Sequence, residues 1–369
     1  MDRSDLVELV QGGEIISDVD LSGVDLSGAD LSGAIFDKVS FAGADLSGAR
    51  LKESTATGCS FRGARLSGAN LHLAAMVDCD LTGAKLDGAS LIAAQLTGGD
   101  LSSIDLSGAD LTLASVINTS LSGARLARAN LDRATILDAR TERIDLSGAV
   151  LKQTALVRAD LSTATLGGAV LELVVLVEGK LAGQDLRGMS FTMTQFTGAD
   201  LSGCDFSGAT LTQCGFKDAN LSGAKLDGAL AGRALFVNAN LTRASLAGAV
   251  LKESVFVGAR LIEANLAGAN LEMCILTRAA CAGARWNGAN LTYADLSHAD
   301  VSAGDFSRAT VFRARLHRIK DEGAVWSNRA AALGDDADLA EAEQWQSRVL
   351  GSSRGSSEPP AVGVETSTR

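Results

Sequence analysis

The chain has 369 residues, 46% of them hydrophobic but only 4% aromatic, and a formal net charge of −11. Ala and Leu supply nearly all of the apolar content, so a core made from them must be narrow and regular. The acidity sits in the ends: residues 1–20 carry −5 and residues 331–369 carry −4, which leaves the long middle at −2 and argues against a polycationic or polyanionic body.

The N-terminus, MDRSDL, is acidic where a signal peptide would be basic and apolar, so the expected compartment is the cytoplasm. Ser4 is placed to cap a short helix carrying Leu6, Val7, Leu9 and Val10, stopped by Gly12 and Gly13. This gives an N-terminal capping helix over residues 1–15.

From Ile16 to Leu316 a bulky apolar residue recurs at every fifth position, 61 centres without an insertion, and only Ala56, Thr141, Ala231 and Cys281 fail to be large and apolar. A period of five fits neither the 3.6 of a helix nor the 2 of a strand. It requires a chain that turns a corner every five residues, which suits the Gly and Ser that follow the centres. A longer period lies above it. ARLKES (49–54), AVLKQT (149–154) and AVLKES (249–254) are offset by multiples of twenty, and Phe196, Phe216, Phe236 and Phe256 recur at twenty. Sorting the centres into four columns by position modulo twenty separates them chemically. Two residues after the centre, the columns beginning at Leu21 and Leu26 have Gly in 9 and 13 of fifteen coils; those beginning at Leu31 and Phe36 have it in 1 and 4. Four pentapeptides therefore make one coil with distinct faces.

The words ADLSG (29–33, 44–48), ANLSG (219–223) and ANLTR (239–243) resemble the A(D/N)LXX unit of pentapeptide repeat proteins. The resemblance implies an all-β solenoid, a right-handed quadrilateral β-helix of about fifteen coils over residues 16–328. In it each centre, and the Ala two residues before, points inward. At the usual strand spacing the rod is roughly 70 Å long. Beyond it, Asp335 or Asp336 is placed to cap a second helix over residues 329–350, with Leu339, Ala342, Trp345 and Val349 on one face, and Trp326 to lid the last coil. The run 351–369 has no apolar pattern and reads as a disordered tail.

Little here carries chemistry. Cys59, Cys79, Cys204, Cys214 and Cys274 fall at the small inward position and Cys281 at a centre, without a C-x-x-C pair, so they read as buried free thiols. His72 stands alone. His298 and His317 fall on one face of neighbouring coils, but no third ligand is indicated and both read as solvated surface residues. No phosphate-loop motif is present, and the many Asp and Asn before centres read as turn residues. The expectation is a non-enzyme with no cofactor, no metal and no small-molecule substrate.

Two surface features remain. In LELVVLVEG (171–179) the register points Leu173, Val175 and Val177 outward; the five consecutive apolar residues are far short of the roughly 20 that cross a bilayer, so no membrane insertion is expected. The same outward positions in other coils hold Leu73, Val77, Leu113, Ile117, Leu137, Val157, Met193, Leu235, Val237, Val255, Val257, Met273, Ile275 and Tyr293. This stripe is read as an interaction face for a protein partner or a homodimer. The competing reading is a β-ladder that favours such residues for its own sake. The second feature is basic: Arg308, Arg313, Arg315, Arg318 and Lys320 crowd the last coil. With no aromatic series for stacking bases, pairing with the acids of the cap is expected in preference to nucleic acid.

The leading expectation is a rigid binding rod or scaffold. The family resemblance implies two alternatives: a DNA-mimicking inhibitor or protector of a type II topoisomerase such as gyrase, and an accessory of bacterial secretion machinery. DNA mimicry demands a continuous anionic surface, since duplex DNA carries one charge per about 1.7 Å.

Overall fold

Except for the last, Arg315 with Leu333, the bridges in the rod join residues twenty apart, in parallel, as in Asp25 with Asp45 and Asp30 with Arg50. The computed structural model, which describes residues 1–343, is thus a four-sided solenoid of about 16 coils, one beyond the count from the Gly columns. A centre donates its N–H to a carbonyl of the next coil, as Leu46 does to Arg65 at 2.7 Å. The residue three places on donates back to the centre's carbonyl, as Ala49 does to Leu46 at 3.0 Å. That closes a turn at most corners. The residue just before the closing donor takes a left-handed backbone, so Gly is the natural occupant, and Gly48 has φ +64°.

Centres and the small inward residues fill the core in one continuous column. Where a small inward position holds Ser, Thr or Cys, its side chain in most cases donates to the carbonyl of the preceding coil's centre; Ser54 bonds its own coil's Leu51 instead, at 2.7 Å. Thr194 bonds Leu171 at 2.8 Å, Ser254 bonds Ala231 at 2.7 Å, and Cys204 bonds Leu181 at 3.0 Å. All six cysteines are buried free thiols. Burial pushes Cys204 up to about 11 and Cys214 and Cys274 up to about 12, so these three stay protonated at neutral pH. The Asp residues before centres act as the turn residues expected: Asp205 accepts from Ser207 Oγ at 2.6 Å and from its N–H at 3.0 Å. The Ser207 hydroxyl holds the Asp205 carboxyl below the usual range, against the opposing effect of burial.

The sides are not equivalent along the rod. At one side the first eight coils form three-residue strands, β1 (Ile15–Ser17) to β8 (Ala155–Val157), in one parallel sheet in unbroken order. Later coils carry a closed turn there instead, with Ala219 N–H on Phe216 O at 3.1 Å and Ala239 N–H on Phe236 O at 3.1 Å. Between the two regimes the ladder opens. Bridges join 145 to 165 and 150 to 170, but among the described residues 165 is not bridged to 185, nor 170 to 190. Gln184 and Met189 occupy inward positions that are usually Ala, and the Gln184 amide donates to the carbonyls of Leu161, Ser162 and Ala164 at 2.8, 3.0 and 3.0 Å.

Both caps differ from expectation in detail. The first helix, α1 (Arg3–Gln11), is capped by Asp2, not Ser4; Asp2 and Asp5 form a reciprocal box that a serine two positions later could not make. Residues 337–343 are helical, with Asp336 Oδ1 accepting from Leu339 N–H at 3.0 Å. Leu339 and Ala342 are exposed there, and Ala340 and Glu343 face the rod instead, drawn in by Arg318. Trp345, Val349 and the run 351–369 lie outside the described residues. Trp326 stacks on Phe306 at 3.9 Å, which closes the aromatic column. Among the described residues no helix is long and apolar enough to cross a membrane.

Candidate interaction surface

The apolar stripe divides into columns with different backbones. Leu73, Leu113, Leu173, Met193, Met273 and Tyr293 occupy the left-handed corner position, with φ between 58° and 61°. The corresponding corners of two other sides are mostly Gly. A left-handed backbone costs an L-residue about 1–2 kcal/mol. These six side chains are therefore held where Gly would be cheaper, and they are exposed, Leu173 by 43% and Leu113 by 50%. β-propensity offers no account of them, because their backbone is not extended.

The remaining stripe residues are of two kinds. Val175, Leu235 and Ile275 lie on bridge positions and are exposed, while Val255 is half-buried. Val77, Ile117, Leu137, Val157, Val177, Val237 and Val257 are all half-buried. Ile117, Leu137 and Val157 stack in register on adjacent strands β6 (Ser115–Ile117), β7 (Thr135–Leu137) and β8. For these three, packing along the ladder is reason enough. From Leu173 on, the stretch 171–179 keeps its connections beside the opening: Leu173 N–H reaches Thr192 O at 3.0 Å and Val175 is bridged to Gln195.

The stripe is also wider than the sequence analysis drew it. Ile15 and Ile35 extend the column of Val175 to the first coils, and Leu230 and Val250 stand exposed on the adjoining side. Phe312 packs edge-on against Tyr293 at 5.8 Å. Ile15 and Ile35 share the register position of Val175, whereas Leu230 and Val250 stand before the centres of the adjoining side.

The basic cluster does not pair as expected. Arg318 alone reaches the cap helix, with Nε 3.0 Å from Glu343 Oε2 and its backbone N–H 2.7 Å from Asp335 Oδ1. Asp321 pairs with Arg329 instead, and among the described residues Arg308, Arg313, Arg315 and Lys320 make no ion pair. The histidines also depart from expectation. His317 is 2% exposed, not solvated, and Glu343 joins it and His298 as a third polar group. Glu343 lies outside the repeat register, so the sort that aligned the histidines could not include it.

Comparison with known protein families agrees with the repeat read in the chain. The family described as Pentapeptide repeats matches in eight copies, at residues 15–52, 44–83, 74–112, 109–140, 176–213, 214–252, 234–272 and 274–310. The unmatched stretch, 141–175, leads into the opening of the ladder. No curated protein matches the chain. Among solved structures it is similar to QnrB1, a plasmid-mediated fluoroquinolone resistance protein, at 23% identity over 48% of this chain and 89% of that one, TM-score 0.33. A pentapeptide repeat protein of the Arabidopsis thaliana thylakoid lumen is 38% identical over 28% of this chain and 69% of its own, TM-score 0.23. HetL, involved in heterocyst differentiation regulation in the cyanobacterium Nostoc, is 25% identical over 85% and 96%, TM-score 0.14. With eight matched copies over most of its length, the chain belongs to the pentapeptide repeat family.

Proposed function

We propose that this protein is a non-catalytic rod that binds a protein partner, or a second copy of itself, through the apolar stripe centred on Leu173 and Val175. The carrying observation is the set of six large apolar side chains held exposed at one corner of the rod, where other coils place Glu, Gln or Arg in the same left-handed backbone. Polar residues suit that corner equally well, and large apolar side chains kept exposed along one side are characteristic of interfaces.

The surface charge supports this reading over DNA mimicry. Acids on the rod are answered by bases one coil away, as in Asp30 with Arg50 at 2.9 Å, Asp105 with Arg125 at 2.8 Å and Glu263 with Arg243 at 2.7 Å. Such pairing breaks up the anionic surface that imitation of a duplex requires. A place in a secretion system is one setting in which such a rod would act, with the stripe as its contact.

The test is the triple change Leu173→Ser, Val175→Thr, Val177→Thr, which leaves the inward Leu171, Val174 and Leu176 in place. Sedimentation reads self-association and a pull-down from the native cell reads other partners. A folded variant that has lost association supports the proposal. A folded variant that associates as the parent does in both assays overturns it.

A further inference from the structure

Side chains on the last two coils and the cap helix converge in a way that the repeat does not require. His298 and His317 have ring centroids 5.4 Å apart and nearly perpendicular planes. His298 Nε2 lies 2.9 Å from Glu343 Oε1. His317 Nε2 lies 3.6 Å from Glu343 Oε2, beyond hydrogen-bond reach, and is buried without a hydrogen-bond partner. One donor atom from each of the three residues falls within 4.8 Å of the others.

A buried ring nitrogen without a partner is costly, and this one points into a cluster of electron-pair donors. Two imidazole nitrogens and one carboxylate oxygen make a set that suits a borderline first-row ion, zinc above all. Calcium and magnesium prefer oxygen alone. We propose that His298, His317 and Glu343 bind a zinc-class divalent ion, which fastens the helical residues 337–343 to the last two coils.

The surroundings fit this role. Arg318 holds Glu343 Oε2 from one side, at 3.0 Å from its Nε, and leaves Oε1 toward the histidines. His317 Nδ1 accepts the Asp336 N–H at 3.1 Å, so the neutral ring carries its proton on Nε2. Binding an ion through Nε2 moves that proton to Nδ1, which gives up the Asp336 N–H and donates instead toward Asp335 Oδ1, 3.8 Å away. A carboxylate behind a metal-bound histidine is a frequent orienting partner. A cleft of about 340 Å³ lined by His298, His317, Asp336 and Leu339 gives the ion a path from solvent. Three protein ligands leave a fourth position for water.

The experiment titrates Zn²⁺ into the chelator-treated full chain by calorimetry, with Co²⁺ absorption to report nitrogen and oxygen ligation. The variants are Glu343→Gln and His298→Gln, with His72→Gln as control. His298→Gln changes a partly exposed side chain on a rigid coil and leaves the Arg318 contact to the cap, so it keeps the result interpretable if Glu343→Gln frees the helix. The expected result is one ion per chain, with affinity at least about tenfold weaker in each site variant and unchanged in the control. Zn²⁺ should also slow proteolysis around residue 340 in the parent and the control, and not in the site variants. Absence of saturable binding, or equal binding by parent and His298→Gln, overturns the proposal.

Discussion

The two halves of the rod follow one repeat but build one of their four sides differently. In the first eight coils the side containing Phe36, Met76 and Val116 is extended, and no turn bond closes after those centres. In the later coils the centres are Phe196, Phe216, Phe236 and Phe256, whose rings stack at 5.1, 4.8 and 4.6 Å, and every turn is closed. The inward residues differ as well. The later coils pair a large centre with Ala at the next inward position: Ala199, Ala219, Ala239, Ala259. The earlier coils hold Val39, Cys59, Cys79, Gly99 or Thr119 there; the corner stays open even at Gly99, while Ile104 and Ile144 close theirs on other sides at 3.2 Å, so the size of the inward residue does not decide closure by itself. Ala139 and Ala159 keep the open form of the coils before them, so the ladder transmits geometry from coil to coil. The change takes place where Gln184 and Met189 wedge the ladder apart.

The largest effect expected in the later half comes from removing one ring of the stack. Phe216→Ala should cost about 3–5 kcal/mol in chemical denaturation, because the flanking rings cannot collapse into the space. In the first half Gly99 is the sensitive point. It has φ +74°, and a Cβ there would meet Cys79 O at 2.1 Å. Gly99→Ala should cost about 3 kcal/mol; a loss below about 1 kcal/mol would mean that the open side yields easily. Ala219→Val imposes the larger inward residue of the first half on the second. A cost of about 1–3 kcal/mol is expected, with faster hydrogen exchange at the amide of residue 219. Unchanged exchange would dissociate turn closure from volume. The smallest change is expected at the junction: Gln184→Ala with Met189→Ala should let the ladder pair across the opening. Protection of amides 166–171 should rise, and unchanged protection would place the cause of the opening elsewhere.

Much of this fold was legible because its periodicity is strict. The inward and outward sets, the free thiols and the turn role of Asp follow from the register alone. The two forms of one side did not emerge, because they depend on which centre meets which inward neighbour, and a column-by-column sort discards that pairing. The cap of the first helix was misplaced by local chemistry, since Asp2 competes with Ser4 and has the reciprocal partner in Asp5. For the stripe, the register sets which side chains point outward but not their backbone conformation. That Leu113 and Leu173 sit at left-handed corners separates them from Ile117, Leu137 and Val157, which the ladder explains. His317 and Glu343 were out of reach because their meeting depends on how the cap folds back.

The most direct test of the central claim is to replace Leu73, Leu113 and Leu173 together by Gly, which relieves three left-handed backbones and removes three exposed apolar side chains. If those residues are kept for a partner, stability and association should move in opposite directions. Relief of about 1–2 kcal/mol per corner, partly offset by the greater freedom of Gly in the unfolded chain, should raise the melting temperature, while association by sedimentation and pull-down weakens. A lower melting temperature with association unchanged would show that these side chains serve the rod itself, and would contradict the account.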